Sequence, residues 1–245
     1  MKINGWDIAE AQAKQWNVTL GHVSVSNNST WVRGAAAPVL LPNAIGFKSL
    51  KVTLLVKGNG REEIIKNRST ILSKCLEPLK IQLDGYSHLF RGILTKLTPT
   101  EYGTKKKFHT LVLELNCYEY EAQADGSQFS GSASGSTDLI INNQGNLATP
   151  ATVLITPQIG LASLKLFGIV RDPNTGKDLP VTVKNLTTGK IITIDGETGL
   201  MTEDGQLKSG DIETYGLPSL APGTNTITLD SQHVDITVKY YPRYM

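Results

Sequence analysis

From Val181 to Tyr244 the chain alternates apolar and polar residues in short runs separated by turn signals, which leaves few folds open to it. At the end of this stretch Val234, Ile236, Val238 and Tyr240 point one way and Asp235, Thr237 and Lys239 the other. A period of two describes a strand with one face on a core and one in water. The same alternation recurs at Ile227 and Leu229 and at Val181 and Val183. Thr188-Gly189, Asp195-Gly196, Asp204-Gly205, Ser209-Gly210 and Pro222-Gly223 punctuate the runs. Short strands with a turn every few residues predict an antiparallel β-sandwich.

The rest of the chain reads as strands around a single helix. Gln15–Ser26, Phe47–Lys57, Lys80–Leu83, Leu89–Leu97 and Phe108–Tyr120 have strand composition or alternation. Asn59-Gly60-Arg61-Glu62 resembles a helix N-cap with a carboxylate three residues on, the capping-box spacing. The run 61–76 places Ile64, Ile65, Ile71, Leu72, Cys75 and Leu76 near one stripe, and Pro78 stops it. The fold class is therefore mainly β with one α-helix. Residues 123–137, QADGSQFSGSASGST, are Gly/Ser-rich and nearly free of apolar side chains, the composition of a flexible linker. Domains are predicted at 1–122 and 138–245 on either side of it.

Composition excludes several functions. Apolar residues make up 40% and charged residues 19% of 245, enough for packed cores, and the net charge of +2 leaves no footprint for nucleic acid as a primary ligand. The basic residues are scattered except at Lys105-Lys106-Lys107. Cys75 and Cys117 make neither a disulfide framework nor a metal site and read as buried thiols. The N-terminus lacks the apolar core of a signal peptide, and no apolar run approaches the roughly 20 residues of a membrane helix, so synthesis in a cytoplasm and no membrane partner are expected. His22, His88, His109 and His233 share no ligand spacing, and the string Gly126–Ser136 precedes no helix, so neither a metal nor a phosphate loop is expected. Asp195, Glu197, Glu203, Asp204 and Asp211 read as solvated turn residues. No catalytic residue, metal or cofactor is assigned, and an enzyme is not expected.

Several segments together resemble the distal tail proteins of siphophages. In the second half these are Ile194-Asp195, the string Leu220-Ala221-Pro222-Gly223-Thr224-Asn225-Thr226-Ile227, and the closing Tyr240–Tyr244. In the first half they are Val56-Lys57-Gly58, Arg61-Glu62 opening the helix, the Ile81–Gly85 hairpin and the long closing strand. Asn143-Gln144-Gly145-Asn146 with Pro150 and Ile155 resembles the entry into the second domain of that family. The resemblance implies a tail-tube-like β domain with one helix, then a galectin-like sandwich. It implies a homohexameric ring around an open channel, at the distal end of the virion tail. Such a ring joins the tail tube protein to baseplate, tail fibre or tail-associated lysin proteins, with the tape measure protein as a further possible partner and DNA only in transit. A carbohydrate-binding module on a phage or prophage particle and a tail tube protein are the alternatives. The absence of Trp from the second domain leaves little for a sugar platform.

Two surfaces follow. Residues 27–46 read as a long loop in which Trp31, Val32, Arg33, Leu40 and Leu41 form an oligomer interface, because those apolar side chains have no local periodicity to bury them. By alternation, Lys51, Thr53, Lys57, Glu114 and Asn116 share one sheet face. If the ring holds, that face lines the channel, polar and of mixed charge. The helix covers the opposite face, made by Val52, Leu54, Val56, Leu111, Leu113 and Leu115, through Ile64, Leu72 and Cys75.

Overall fold

In the computed structural model, which describes residues 1–27, 29–39, 43–103, 107–173 and 175–245, the chain divides into two compact units. One comprises residues 1–120 with Met245, the other residues 121–244.

The first unit contains β1 (Lys2–Ile3), β2 (Trp6–Asp7), β3 (Ala13–Ser26), β4 (Ala44–Lys57), α1 (Arg61–Ser73), β5 (Leu79–Gln82), β6 (Leu89–Glu101) and β7 (Phe108–Tyr120). Its strands form one antiparallel sheet in the order β2-β1-β5-β6-β7-β4-β3. β4 and β7 pair without interruption from Lys48↔Cys117 to Lys57↔Phe108. Every second residue of both strands therefore faces the same way. Leu50, Val52, Leu54, Val56, Leu111, Leu113 and Leu115 are buried on that side.

Helix α1 lies over this apolar side, with Ile64 and Ile71 fully buried and Cys75 just beyond its end in the same core. The expected stripe included Ile65, Leu72 and Leu76, but these are exposed. The inward row is Ile64, Arg68, Ile71 and Cys75, and Arg68 occupies a place a sequence reading gives to an apolar residue. Its guanidinium donates to Glu101 Oε1 at 3.2 Å and to Nδ1 of the buried His109 at 3.1 Å. An arginine can only donate, so His109 carries its proton on Nε2. The helix start also differs from expectation. Gly60 is the N-cap with no side-chain bond, and Glu63, not Glu62, accepts from the Asn59 backbone N–H at 2.7 Å.

The second unit contains β8 (Phe129–Ser134), β9 (Asp138–Asn143), β10 (Thr149–Pro157), β11 (Leu161–Arg171), β12 (Asp178–Leu186), β13 (Ile192–Asp195), β14 (Met201–Glu203), β15 (Gln206–Leu207), β16 (Ile212–Glu213), β17 (Ser219–Leu220), β18 (Gly223–Leu229) and β19 (Val234–Tyr240). One sheet runs β15-β14-β13-β10-β19-β8 with β17 also on β10, and the other runs β16-β12-β11-β18-β9. A single core of buried Val, Ile and Leu from both sheets lies between them, the sandwich that the alternation demands.

Residues 123–137 are not a free linker. Phe129–Ser134 is β8, paired with β19 from Phe129↔Tyr240 to Ser134↔Asp235. The small residues that suggested flexibility answer to close packing. A Cβ on Gly131 would come within 2.8 Å of Ile141 Cγ1. Ser132 and Ser134 hydrogen-bond across the strands to Thr237 and Asp235.

Turn chemistry closes the sandwich. Asp172 and Asp195 each bind the hydroxyl of the threonine three residues on, at 2.8 and 2.6 Å. In both turns the carbonyl of the aspartate accepts from a glycine N–H, Gly176 and Gly199, in the left-handed region. The acidic residues near position 200 are thus partly structural rather than merely solvated. Asp204 accepts from the Ile191 N–H, and Lys208, almost fully buried, holds Glu203 and Asp211 at 3.3 and 3.2 Å.

The Leu220–Ile227 string has the same logic. Asn225 is buried, accepts from the Ala221 N–H at 2.9 Å, and donates to the carbonyls of Ala221 and Gly223 at 2.8 and 2.9 Å. Asn225→Ala would take the acceptor from the Ala221 N–H and a donor from the carbonyls of Ala221 and Gly223, the former still reached by Asn143, at about 1–3 kcal/mol per group left unsatisfied. We expect it to lower the thermal transition of the second unit clearly, while Thr224→Ala, on an exposed neighbour, leaves it within about 0.5 kcal/mol of the parent. Equal effects of the two substitutions in calorimetry would contradict the capping role.

Candidate assembly surfaces

The segment 27–46 is less of a loop than its composition suggests. β3 and β4 stay paired out to Ser26↔Ala44, and Thr30 and Val39 exchange two backbone hydrogen bonds of 3.1 and 2.9 Å beyond them. β7 accompanies β4 only as far as Lys48. Past that point β3 and β4 continue as a two-stranded arm. Among the described residues its apolar side chains stand largely in water. Trp31 is 64% exposed and Phe47 55%, and Val25, Val32, Val39 and Ile45 are comparably open. Arg33 is exposed at the tip. Leu40 and Leu41, expected to join this interface, lie outside the described residues, as do Lys105 and Lys106 of the basic run.

A polar cluster stands at the root of the arm. Lys48, the last β4 residue that β7 reaches, is 6% exposed and forms an ion pair with Glu119. His88 Nδ1 donates to the other carboxylate oxygen at 2.6 Å. Burial pushes the Glu119 pKa up, but the hydrogen bonds from Lys48 and His88 and their charges outweigh it, and the net shift is downward. The cysteines show burial without such compensation. The thiols of Cys75 and Cys117 are each pushed up to about 11, chiefly by desolvation, so neither is a nucleophile near neutral pH.

The second surface is the sheet face opposite α1. Lys51, Thr53, Lys57, Glu114 and Asn116 all lie on it, with Lys51 directly opposite Glu114 at 3.5 Å. Leu55 and Val112, on the same side, are only half-buried. These five residues alone read as mixed in charge, but the register adds others. Lys14 pairs with Leu55 on β3, Lys96 with Glu114 on β6, Arg91 with Tyr118, and Lys80 with Arg91 on β5. The whole face is basic, which corrects the expectation. Lys96 was hidden by a register shift between Leu94 and Lys96, which inverts the alternation of β6 partway along it.

Aromatic residues of the second unit are mostly structural. Tyr240 is buried and donates to the Asn142 carbonyl at 3.1 Å, Tyr241 to the Gly126 carbonyl, and Tyr244 to Glu121 at 2.7 Å. Tyr215 is exposed. Among the described residues no three His, Cys, Asp or Glu side chains converge on a metal-sized space.

A family model described as the siphovirus-type tail component, C-terminal domain, matches residues 144–244. The crystal structure of the Dit protein of phage SPP1, described as a paradigm of the hub adsorption apparatus in phages infecting Gram-positive bacteria, superposes with a TM-score of 0.74 at 13% identity, covering 99% of this chain and 98% of that one. A chain of the phage P2 baseplate in its activated conformation with calcium follows at a TM-score of 0.52, 12% identity and coverage of 97% and 92%. The strontium form gives 0.50, 12%, 96% and 92%. No curated protein matches the sequence significantly.

The geometry of Glu119 sets a pH dependence. A carboxyl whose pKa falls on folding contributes stability that is complete above its unfolded value, near 4.5, and is lost as pH falls through the lower folded value. Glu119→Gln should cost roughly 3 kcal/mol at neutral pH, the low end for breaking a buried pair. The gap from the parent should narrow as acid titrations proceed below about pH 4. Parallel stability curves down to pH 2 would show that Glu119 is not held in its charged form by this cluster.

Proposed function

We propose that the chain is a distal tail protein of a siphophage, a structural hub at the distal end of the tail; the match of residues 144–244 to the siphovirus-type tail component domain and the fold likeness to a Dit protein support this reading. In this reading the first units of six copies close a ring, which connects the tail tube to baseplate or tail fibre components and leaves a channel through which DNA passes. The observation that carries the hub is the fold likeness along nearly the whole chain to a protein of the hub adsorption apparatus. No catalytic group takes part; the work is positional.

Two features of the first unit support a ring. β3 ends the sheet, and among the described residues nothing pairs with its outer edge, although it runs 14 residues. A long unpaired edge is a template for another chain. The arm adds apolar area that its own unit leaves in water. An edge on one side and an arm projecting away from it suit a heterologous contact, the kind that closes a ring rather than a two-fold dimer. The sheet face opposite α1 then lines the channel.

The reading is tested on tails and on the isolated chain. Gold-labelled protein should appear at the tail tip in micrographs, and native mass spectrometry at high concentration should show oligomers up to six. Trp31→Asp combined with Phe47→Asp should abolish incorporation into tails while leaving the thermal transition unchanged, since both side chains are exposed. Label elsewhere on the virion, or tails that assemble normally with the double variant, would refute the respective parts.

A further inference from the structure

We infer that the open face of the first unit's sheet is a contact surface for the phosphate backbone of double-stranded DNA. The inference rests on the reading of that face as a channel wall for the identity of its ligand, but its charge does not depend on any ring. Register places Lys14, Lys51, Lys57, Lys80, Arg91 and Lys96 on this face. All six are exposed, and the opposing carboxylate is Glu114, half-buried. Lys2 and Asp7 on the short outer strands offset each other. The five lysines against one carboxylate give an excess of four positive charges, Arg91 being already engaged, whereas the whole chain carries +2. Everything else in the chain, Arg91 included, is therefore net acidic by two. A near-neutral protein has gathered its positive charge on one face, and the formal total conceals it.

The arrangement fits a linear polyanion better than a small anion. The cations are spread over four strands and, on β4, over the seven residues from Lys51 to Lys57, instead of converging on a point. Between them stand Thr53, Thr98 and Thr110, hydroxyl donors on the same face. Lysines and hydroxyls are the groups that contact phosphate oxygens without reading bases. A single strand would in addition require aromatic platforms for unstacked bases. Of the aromatic residues here, Phe108 and Tyr118 are half-buried among their neighbours, and the exposed Tyr102 is tilted against Phe108 and tied at its hydroxyl to Thr110 at 3.2 Å. A duplex, which presents phosphates outward and keeps its bases stacked inside, is the better match. A wall of this kind holds passing DNA through counterion release and makes its movement sensitive to salt.

The test uses the full chain and a fluorescent duplex of random sequence, with binding followed by anisotropy across a salt series. Binding should weaken linearly in log–log form as salt rises. Lys57→Gln, Lys80→Gln and Lys96→Gln together should lower affinity at least tenfold and reduce the slope by up to about 2.7, at roughly 0.9 per phosphate contact. Lys190→Gln with Lys239→Gln, on exposed sites of the second unit, should change neither. An unchanged slope in the triple variant, a loss in the control pair, or tighter binding of polyglutamate than of the duplex would each overturn the inference. The same triple variant should still enter tails. If it binds DNA poorly yet is incorporated at the tip, the inference stands. Failure of the parent chain to reach the tip would refute the hub while leaving the binding result on the free chain intact.

Discussion

The uninterrupted pairing of β4 with β7 is the constraint on which the first unit depends. Ten residue pairs in one register leave no freedom about which side each residue faces. One side must be apolar and covered, so α1 is needed above it. The other side is thereby committed to water or to a partner. A slip of one residue would exchange Val52, Leu54 and Leu113 for Lys51, Thr53 and Glu114, so the core and the basic face are two outcomes of one register.

In the second unit the corresponding constraint is held by buried asparagines rather than by strand length. Several of its strands are only two to four residues long, and a sandwich with such short strands is as precise as its corners. Asn225 ties the β17–β18 corner. Asn143 donates toward the carbonyls of Leu147, Leu220 and Ala221 and accepts from the Gly145 N–H at 3.1 Å. Asn143 thus fixes the approach of segments almost 80 residues apart in sequence, and Asn225 the shape of the corner it reaches. The Leu220–Ile227 and Asn143–Asn146 strings carry the family resemblance, and they are the places where backbone polar groups would otherwise be buried without partners.

Strand alternation made most of the fold legible in the sequence, including the sides of β4 and β7 and the sandwich core. The misreadings have local physical causes. Arg68 occupies the inward row of α1 because Glu101 and His109 satisfy it, and a pattern of apolar residues cannot show such a pairing. The register shift near Lys96 reverses the phase of β6, so counting by twos fails there. The Gly/Ser composition of β8 signals flexibility in isolation, yet next to Ile141 and Thr237 it signals lack of room. The basic face was missed for a different reason. Its six cations come from four separate segments, and only the pairing brings them together.

The arm beyond Lys48 has a mechanical consequence. Inside the sheet, β4 is held on both sides and is stiff. Past Lys48 it keeps a single neighbour, and two-stranded ribbons twist and coil over a wider range than broad sheets do. The Lys48–Glu119 pair clamps the point where one regime gives way to the other. The arm thus behaves as a compliant washer on a rigid flange, able to take up small mismatches of angle against whatever it meets without loosening the sheet that carries it.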